Sequence, residues 1–134
     1  VSTHSSRDTT MPAPADRKYT ETHEWLRDDG EVVTLGITQH AVDELTDITY
    51  VEMRPKGASF KAGEPVGEVE SVKATSDIYS PIPGEIVEVN AKLADDPSLL
   101  NSDPYGEGWL GRIQPADKYA LASLMDAAAY EKNH

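Results

Sequence analysis

Gly63-Glu64-Pro65-Val66-Gly67-Glu68-Val69-Glu70-Ser71-Val72-Lys73-Ala74-Thr75-Ser76-Asp77-Ile78-Tyr79-Ser80-Pro81-Ile82-Pro83-Gly84-Glu85-Ile86-Val87 is the stretch that decides the fold. It reads as two strand-like arms joined by a short turn, with one lysine, Lys73, at the turn. Pro81-Ile82-Pro83-Gly84 closes the return arm and begins another turn. Ser71 and the run Thr75 to Asp77 are small or polar, so the tip is uncrowded.

Most exposed lysines are solvated and chemically silent. The surroundings of Lys73 restrict what else it can do. Glu68, Glu70 and Asp77 place negative charge around the tip, and negative charge favours the ammonium form. Lys73 is therefore poorly suited to Schiff-base or general-base work, which needs a lowered pKa. It suits acylation by an enzyme that supplies its own activation, and the chemistry would then belong to the attached group.

Composition narrows the remaining classes. The chain has 134 residues, no cysteine, and 24 acidic against 12 basic side chains, for a formal net charge of -12. One domain with a modest core is expected. Disulfides, thiolate catalysis and cysteine metal sites are excluded. The acidic balance argues against nucleic acid as a partner, because phosphate binding needs Lys and Arg. No apolar run approaches the roughly 18 residues of a membrane span, so no membrane partner is expected, and the chain is expected to be a monomer. Residues 1–18, rich in Ser, Thr, Ala and Pro, lack the apolar centre of a secretory signal. They are expected to be a disordered leader, with the folded domain over 19–134.

Outward from the hairpin, short strands dominate. His23 to Arg27 reads as a strand, turned by Asp28-Asp29-Gly30. Glu31 to Ile37 follows, with Val33, Leu35 and Ile37 on one face. Thr38 is a good N-cap, and Ala41, Val42 and Leu45 mark a short helix. Asp47 to Met53 returns to strand. In Glu85 to Asn90, Val87 and Val89 are expected to face in and Glu88 and Asn90 out. Asp95 to Gly108 reads as loop, and Trp109 to Ile113 as a last strand. Leu121, Leu124, Met125 and Ala128 fall at helical spacing. The chain is therefore expected to be mostly β, a flattened barrel or sandwich with a short helix after the second strand and a C-terminal helix over one edge.

Glu70-Ser71-Val72-Lys73-Ala74 closely resembles a lipoyl attachment site. The resemblance extends from Tyr19 to Tyr130. It is carried by Tyr19-Thr20 with His23-Glu24-Trp25, Gly36-Ile37-Thr38 with Ala41, Asp47-Ile48, and the block Glu70 to Asp77. Further on come Ser80-Pro81 with Gly84, Glu88-Val89-Asn90, Asn101 to Trp109, and Ala129-Tyr130-Glu131. In this order the blocks resemble the H proteins of the glycine cleavage system.

The resemblance implies the lipoyl/biotinyl-carrier fold and a shuttle that is not itself an enzyme. Lipoate would be joined by an amide to Lys73, placed there by a lipoyl- or octanoyl-attaching enzyme. The partners would be glycine decarboxylase, a folate-dependent aminomethyltransferase and dihydrolipoamide dehydrogenase. The compartment would be the bacterial cytoplasm, or the mitochondrial matrix in a eukaryote. Lack of cysteine suits such a carrier, since no protein thiol competes with the lipoyl pair by exchange.

Glu24 is either an ordinary surface carboxylate or a counter-charge for a cationic amine on the arm; Asp77 is the second candidate for that role. His4, His23, His40 and His134 are scattered without a helical i, i+4 pair, so no metal is assigned. Trp25 and Trp109 read as packing residues. Two departures from the family pattern stand out: Thr46 replaces a usual Gly, and Met53-Arg54-Pro55 a usual Leu-Pro step. A biotin carrier is the first rival, but such carriers usually place Met beside the lysine, where this chain has Val72 and Ala74. Lipoyl domains of 2-oxoacid dehydrogenases are shorter and lack the Asn101 to Trp109 block. An H-like protein that relays lipoate to other enzymes would use the same lysine.

Overall fold

A computed structural model describes residues 14–117, 121–122 and 124–133. His4, His134 and residues 1–13 of the expected leader lie outside them. The chain builds two antiparallel sheets. The larger holds β1 (Lys18–Tyr19), β2 (Glu24–Asp28), β3 (Val33–Ile37), β5 (Ser59–Phe60), β8 (Gly84–Val89) and β9 (Gly111–Pro115), in the order β1-β2-β3-β9-β8-β5. The smaller holds β4 (Ile48–Met53), β6 (Pro65–Ser71) and β7 (Thr75–Tyr79), in the order β4-β6-β7. Apolar side chains of both, including Leu35, Ile37, Val66, Val69, Ile78 and Ile86, meet in one core. This is the expected flattened sandwich.

Local chemistry accounts for the joints. Asp28 accepts the Gly30 N–H at 3.0 Å, and Gly30 takes φ +97°, where a side chain is unfavourable. The β2–β3 hairpin then pairs Asp28 with Val33. Helix α1 (Gln39–Leu45) starts at Thr38, whose hydroxyl accepts the Ala41 N–H at 3.3 Å, and it buries Val42.

Several expectations need correction. In β8 the register shifts between Ile86 and Glu88. A bulge adds one residue and reverses the alternation beyond it. Ile86, before the shift, is fully buried, and beyond it Glu88 is exposed and Val89 packs against the core as expected, whereas Val87 is only half-buried and Asn90, past the strand, is buried. The Asn90 amide donates to the carbonyls of Glu107 and Trp109, each at 2.8 Å, which is why a polar side chain is tolerated there. The expected loop over Asp95 to Gly108 contains the single-turn helix α3 (Leu99–Ser102). It is preceded by another, α2 (Lys92–Asp95), and the two bury Leu93 and Leu100. The last strand begins at Gly111, two residues late, because the Trp109 backbone still belongs to the preceding turn, its N–H donating to the Gly106 carbonyl at 3.2 Å.

Helix α4 spans only Ala127–Asn133. Leu121, Leu124 and Met125 lie before it. Leu121 and Leu124 join the core, and the Met125 backbone pairs with Tyr19 in both directions, at 2.8 and 3.1 Å. That pairing covers the exposed edge of β1. It also holds Tyr19 against Tyr130, with ring centres 4.9 Å apart. Arg17 lies over the Trp25 ring, 4.3 Å from its centre.

Thr46, the departure from the usual Gly, sits at φ 64°, ψ -140°. That region is nearly reserved for glycine and costs a β-branched residue about 1–3 kcal/mol. Thr46→Gly is therefore expected to stabilise the protein by about 1 kcal/mol, since glycine's larger unfolded-state entropy offsets part of the relief. A thermal melt checks this; a lower midpoint for the variant would contradict it.

Candidate functional site

The hairpin tip is held from three sides. Across its neck the Ser71 N–H donates to the Ala74 carbonyl at 2.8 Å. The Ser71 hydroxyl accepts the N–H groups of Lys73 and Ala74, at 3.1 and 3.0 Å. The Val72 N–H donates to the Asp47 carbonyl at 3.1 Å, tying the tip to the start of β4. Asn101 braces that start, accepting the Ile48 N–H at 2.9 Å and donating to the Thr46 carbonyl at 2.8 Å. A small hydroxyl at Ser71 thus fixes a turn whose own side chains stay in solvent, with Val72 69% exposed.

Lys73 is exposed. Its Nζ donates to the Glu44 carbonyl at 3.1 Å, in the last turn of α1, where unpaired carbonyls concentrate negative charge. The ammonium is thus oriented without being buried, and an enzyme can reach it.

Glu24 occupies the opposite environment, with only 2% of its surface exposed. One carboxylate oxygen accepts from the hydroxyls of Thr20 and Thr22, each at 2.5 Å, and the other accepts the Tyr79 N–H at 3.2 Å. Burial pushes its pKa above the ordinary carboxylate range, and the three donors pull it partly back. It faces a cavity of about 560 Å³ whose wall includes Tyr19, Thr20, Thr22, Tyr79 and Met125.

Strand β7 joins the two places. Tyr79 lies at the cavity, and Lys73 stands six residues back along the chain, about 20 Å of strand. Asp77 lies between them, exposed on β7, with the Tyr79 hydroxyl 3.4 Å from its carboxylate. Asp77 does not line the cavity. The structure therefore brings Glu24 to the foot of the hairpin arm, with Asp77 partway to the tip. Thr20 and Thr22 escape the sequence reading, because they reach Glu24 through the β1–β2 turn, in which the His23 N–H donates to the Thr20 carbonyl at 3.2 Å, and not along a strand face.

A reachable lysine on a stiff hairpin, with a cavity and one buried carboxylate at its foot, is an arrangement that suits a carrier of an attached group. The sequence profile described as Glycine cleavage H-protein matches residues 17–134. The glycine cleavage system H proteins of Methylacidiphilum infernorum and Thermus thermophilus are each 51% identical over 122 residues, covering 91% of this chain and 95% of theirs. A mitochondrial H protein of Mesembryanthemum crystallinum is 52% identical over 115 residues, 86% of this chain and 70% of its own. The crystal structure of an H protein from Mycobacterium marinum superposes with a TM-score of 0.82 at 41% identity, covering 90% of this chain and 98% of that one. The chain belongs to the glycine cleavage H-protein family. It is thus a lipoyl-bearing shuttle of the glycine cleavage system, a carrier subunit and not a catalyst. Among the described residues no helix is long and apolar enough to cross a membrane.

Proposed function

We propose that Lys73 is the residue that carries lipoate, through an amide formed on Nζ by a lipoyl- or octanoyl-attaching enzyme. The carrier domain, expected over 19–134, takes in Arg17 and Lys18 as well, because Arg17 lies over Trp25 and Lys18 pairs with Leu26 in β1. The carrier visits glycine decarboxylase, the aminomethyltransferase and dihydrolipoamide dehydrogenase in turn. It does so in the bacterial cytoplasm, or in the mitochondrial matrix of a eukaryote. The residues at the tip suit the group: Nζ is exposed, it donates to a main-chain carbonyl, and the turn beneath it is fixed by Ser71. Lipoate would supply a disulfide able to take up the one-carbon amine unit on one sulfur, its S–S bond opening so that the other sulfur leaves as a thiol.

The observation that carries this reading is the buried Glu24 carboxylate in its cavity, at the foot of the strand that leads from Lys73. A cationic amine is the complement of such a carboxylate. Thr20, Thr22 and the Tyr79 N–H already orient both oxygens, so little reorganisation is needed on binding. The incoming cation also favours ionisation of an acid that burial disfavours. A charge-assisted hydrogen bond contributes roughly 1.5–3 kcal/mol, one to two decades in the docked population. Asp77, exposed on the way, attracts the cation more weakly.

Lipoylation is tested by intact mass after coexpression with an attaching enzyme, and carrier function by glycine–bicarbonate exchange with glycine decarboxylase. Lipoylated protein that supports no exchange would overturn the reading. Glu24→Gln is expected to leave lipoylation unchanged while the loaded carrier, kept without aminomethyltransferase, loses its amine cargo about tenfold faster. Asp77→Asn should have a smaller effect. Equal decay in wild type and both variants would remove these carboxylates from the mechanism.

A further inference from the structure

A second cluster lies outside the cavity. The imidazoles of His23 and His40 and the carboxylate of Glu44 each offer a ligand atom, and these atoms all lie within 4.8 Å of one another. The β2–β3 pairing builds the cluster. Glu24 stands opposite Ile37, and the Thr38 N–H donates to the His23 carbonyl at 2.9 Å, so His23 is folded back beside the first turn of α1. His40 and Glu44 follow one turn apart on that helix, with Nε2 and Oε1 separated by 3.5 Å. The two imidazole centres are 4.3 Å apart.

Two features place His23 beside the helical pair. His23 closes the β1–β2 turn with a left-handed backbone, φ 71°, its N–H donating to the Thr20 carbonyl at 3.2 Å, a conformation histidine tolerates in such loops. Second, His23 Nδ1 lies 2.7 Å from the Tyr130 hydroxyl, which is itself 2.7 Å from the Thr38 hydroxyl. A fixed partner on one ring nitrogen is the arrangement that orients a ligating histidine and directs the other nitrogen, here Nε2, to a metal. A helical His–Glu ion pair alone would need neither His23 nor its buried relay.

We propose that His23, His40 and Glu44 form a binding site for a divalent transition metal of the zinc class. Two imidazoles and one carboxylate are a set that zinc accepts, with water completing the tetrahedron. The ligand atoms need to close in by about an ångström to reach zinc bonding distances, and two of the three are on a surface helix with side-chain freedom. The Glu44 carbonyl also accepts the Lys73 ammonium, so the metal site borders the arm's base. It does not depend on Lys73 being modified.

The test is zinc titration by calorimetry on the untagged full chain, unmodified at Lys73 by mass, in a non-coordinating buffer. One zinc per chain is expected. His40→Ala and Glu44→Gln, both on the helix surface, should each weaken binding at least about tenfold while melting like wild type. His23→Asn, which tolerates the left-handed backbone, should do the same. The double variant His4→Gln/His134→Gln should bind like wild type. Amide resonances of residues around His23, His40 and Glu44 should shift together on adding zinc. The proposal is overturned if wild type takes up no zinc, if His40→Ala keeps full affinity, or if the terminal double variant loses it.

Discussion

Lys73→Arg is expected to abolish lipoyl attachment completely, with no detectable lipoyl mass after coexpression with an attaching enzyme and no glycine–bicarbonate exchange. The fold should be untouched. Lys73 is exposed, and its contact with the Glu44 carbonyl can equally be made by a guanidinium. Arginine also keeps the charge at the end of α1, but it stays protonated and cannot form the amide. Superimposable melts of variant and wild type would show that chemistry, not folding, was removed. Lipoyl mass on another lysine of the wild type, or on the variant, would falsify the assignment.

Gly36→Ala should cost more stability than any other single methyl named here. Gly36 lies directly opposite Trp25 across β2 and β3. A Cβ built there would stand 2.4 Å from both Cε2 and Cζ2 of the indole and 2.6 Å from Nε1. The ring has little room to yield. Its Nε1 donates to the Pro104 carbonyl at 3.0 Å, the Arg17 guanidinium lies over it, and it is fully buried. Overpacking of this kind costs about 1–3 kcal/mol. The upper end applies here because moving the indole also strands a buried N–H. A melting temperature lower by about 10 °C is expected for a chain of this size. A fall of less than about 2 °C would mean that the Trp25 pocket has slack which these contacts do not suggest.

The hairpin was legible because its signal is local: two arms of strand character, turn-forming brackets and one lysine between them. The β2–β3 turn and the Thr38 cap were legible for the same reason. The bulge of β8 was not: it brings both Ile86 and Val89 to the core and leaves Val87 off it, and nothing in the composition around Val87 announces the inserted residue. Strands β1 and β5, two residues each, are too short to carry a period. The Leu121 to Met125 spacing looked helical, yet the Met125 backbone satisfies the bare edge of β1, a demand set by the tertiary fold. The His23–His40 approach was hidden likewise. Seventeen positions apart, they meet only through the register of a hairpin. The Glu24 contacts were hidden too: Thr20 and Thr22 meet it through a tight turn, and its other oxygen is held by Tyr79, which lies 55 residues away in the chain.

The wall of the Glu24 cavity has a bearing on synthesis. Tyr19, Thr20 and Thr22 come from near one end of the chain and Met125 from near the other. The lysine hairpin, by contrast, is complete once residue 79 is made. A growing polypeptide emerging from the ribosome at about 5–20 residues per second therefore exposes the Lys73 turn well before the Glu24 cavity can close. Contacts of such long sequence separation also form slowly. For a nascent chain there is an interval in which the Lys73 turn can be displayed while the Glu24 cavity does not yet exist.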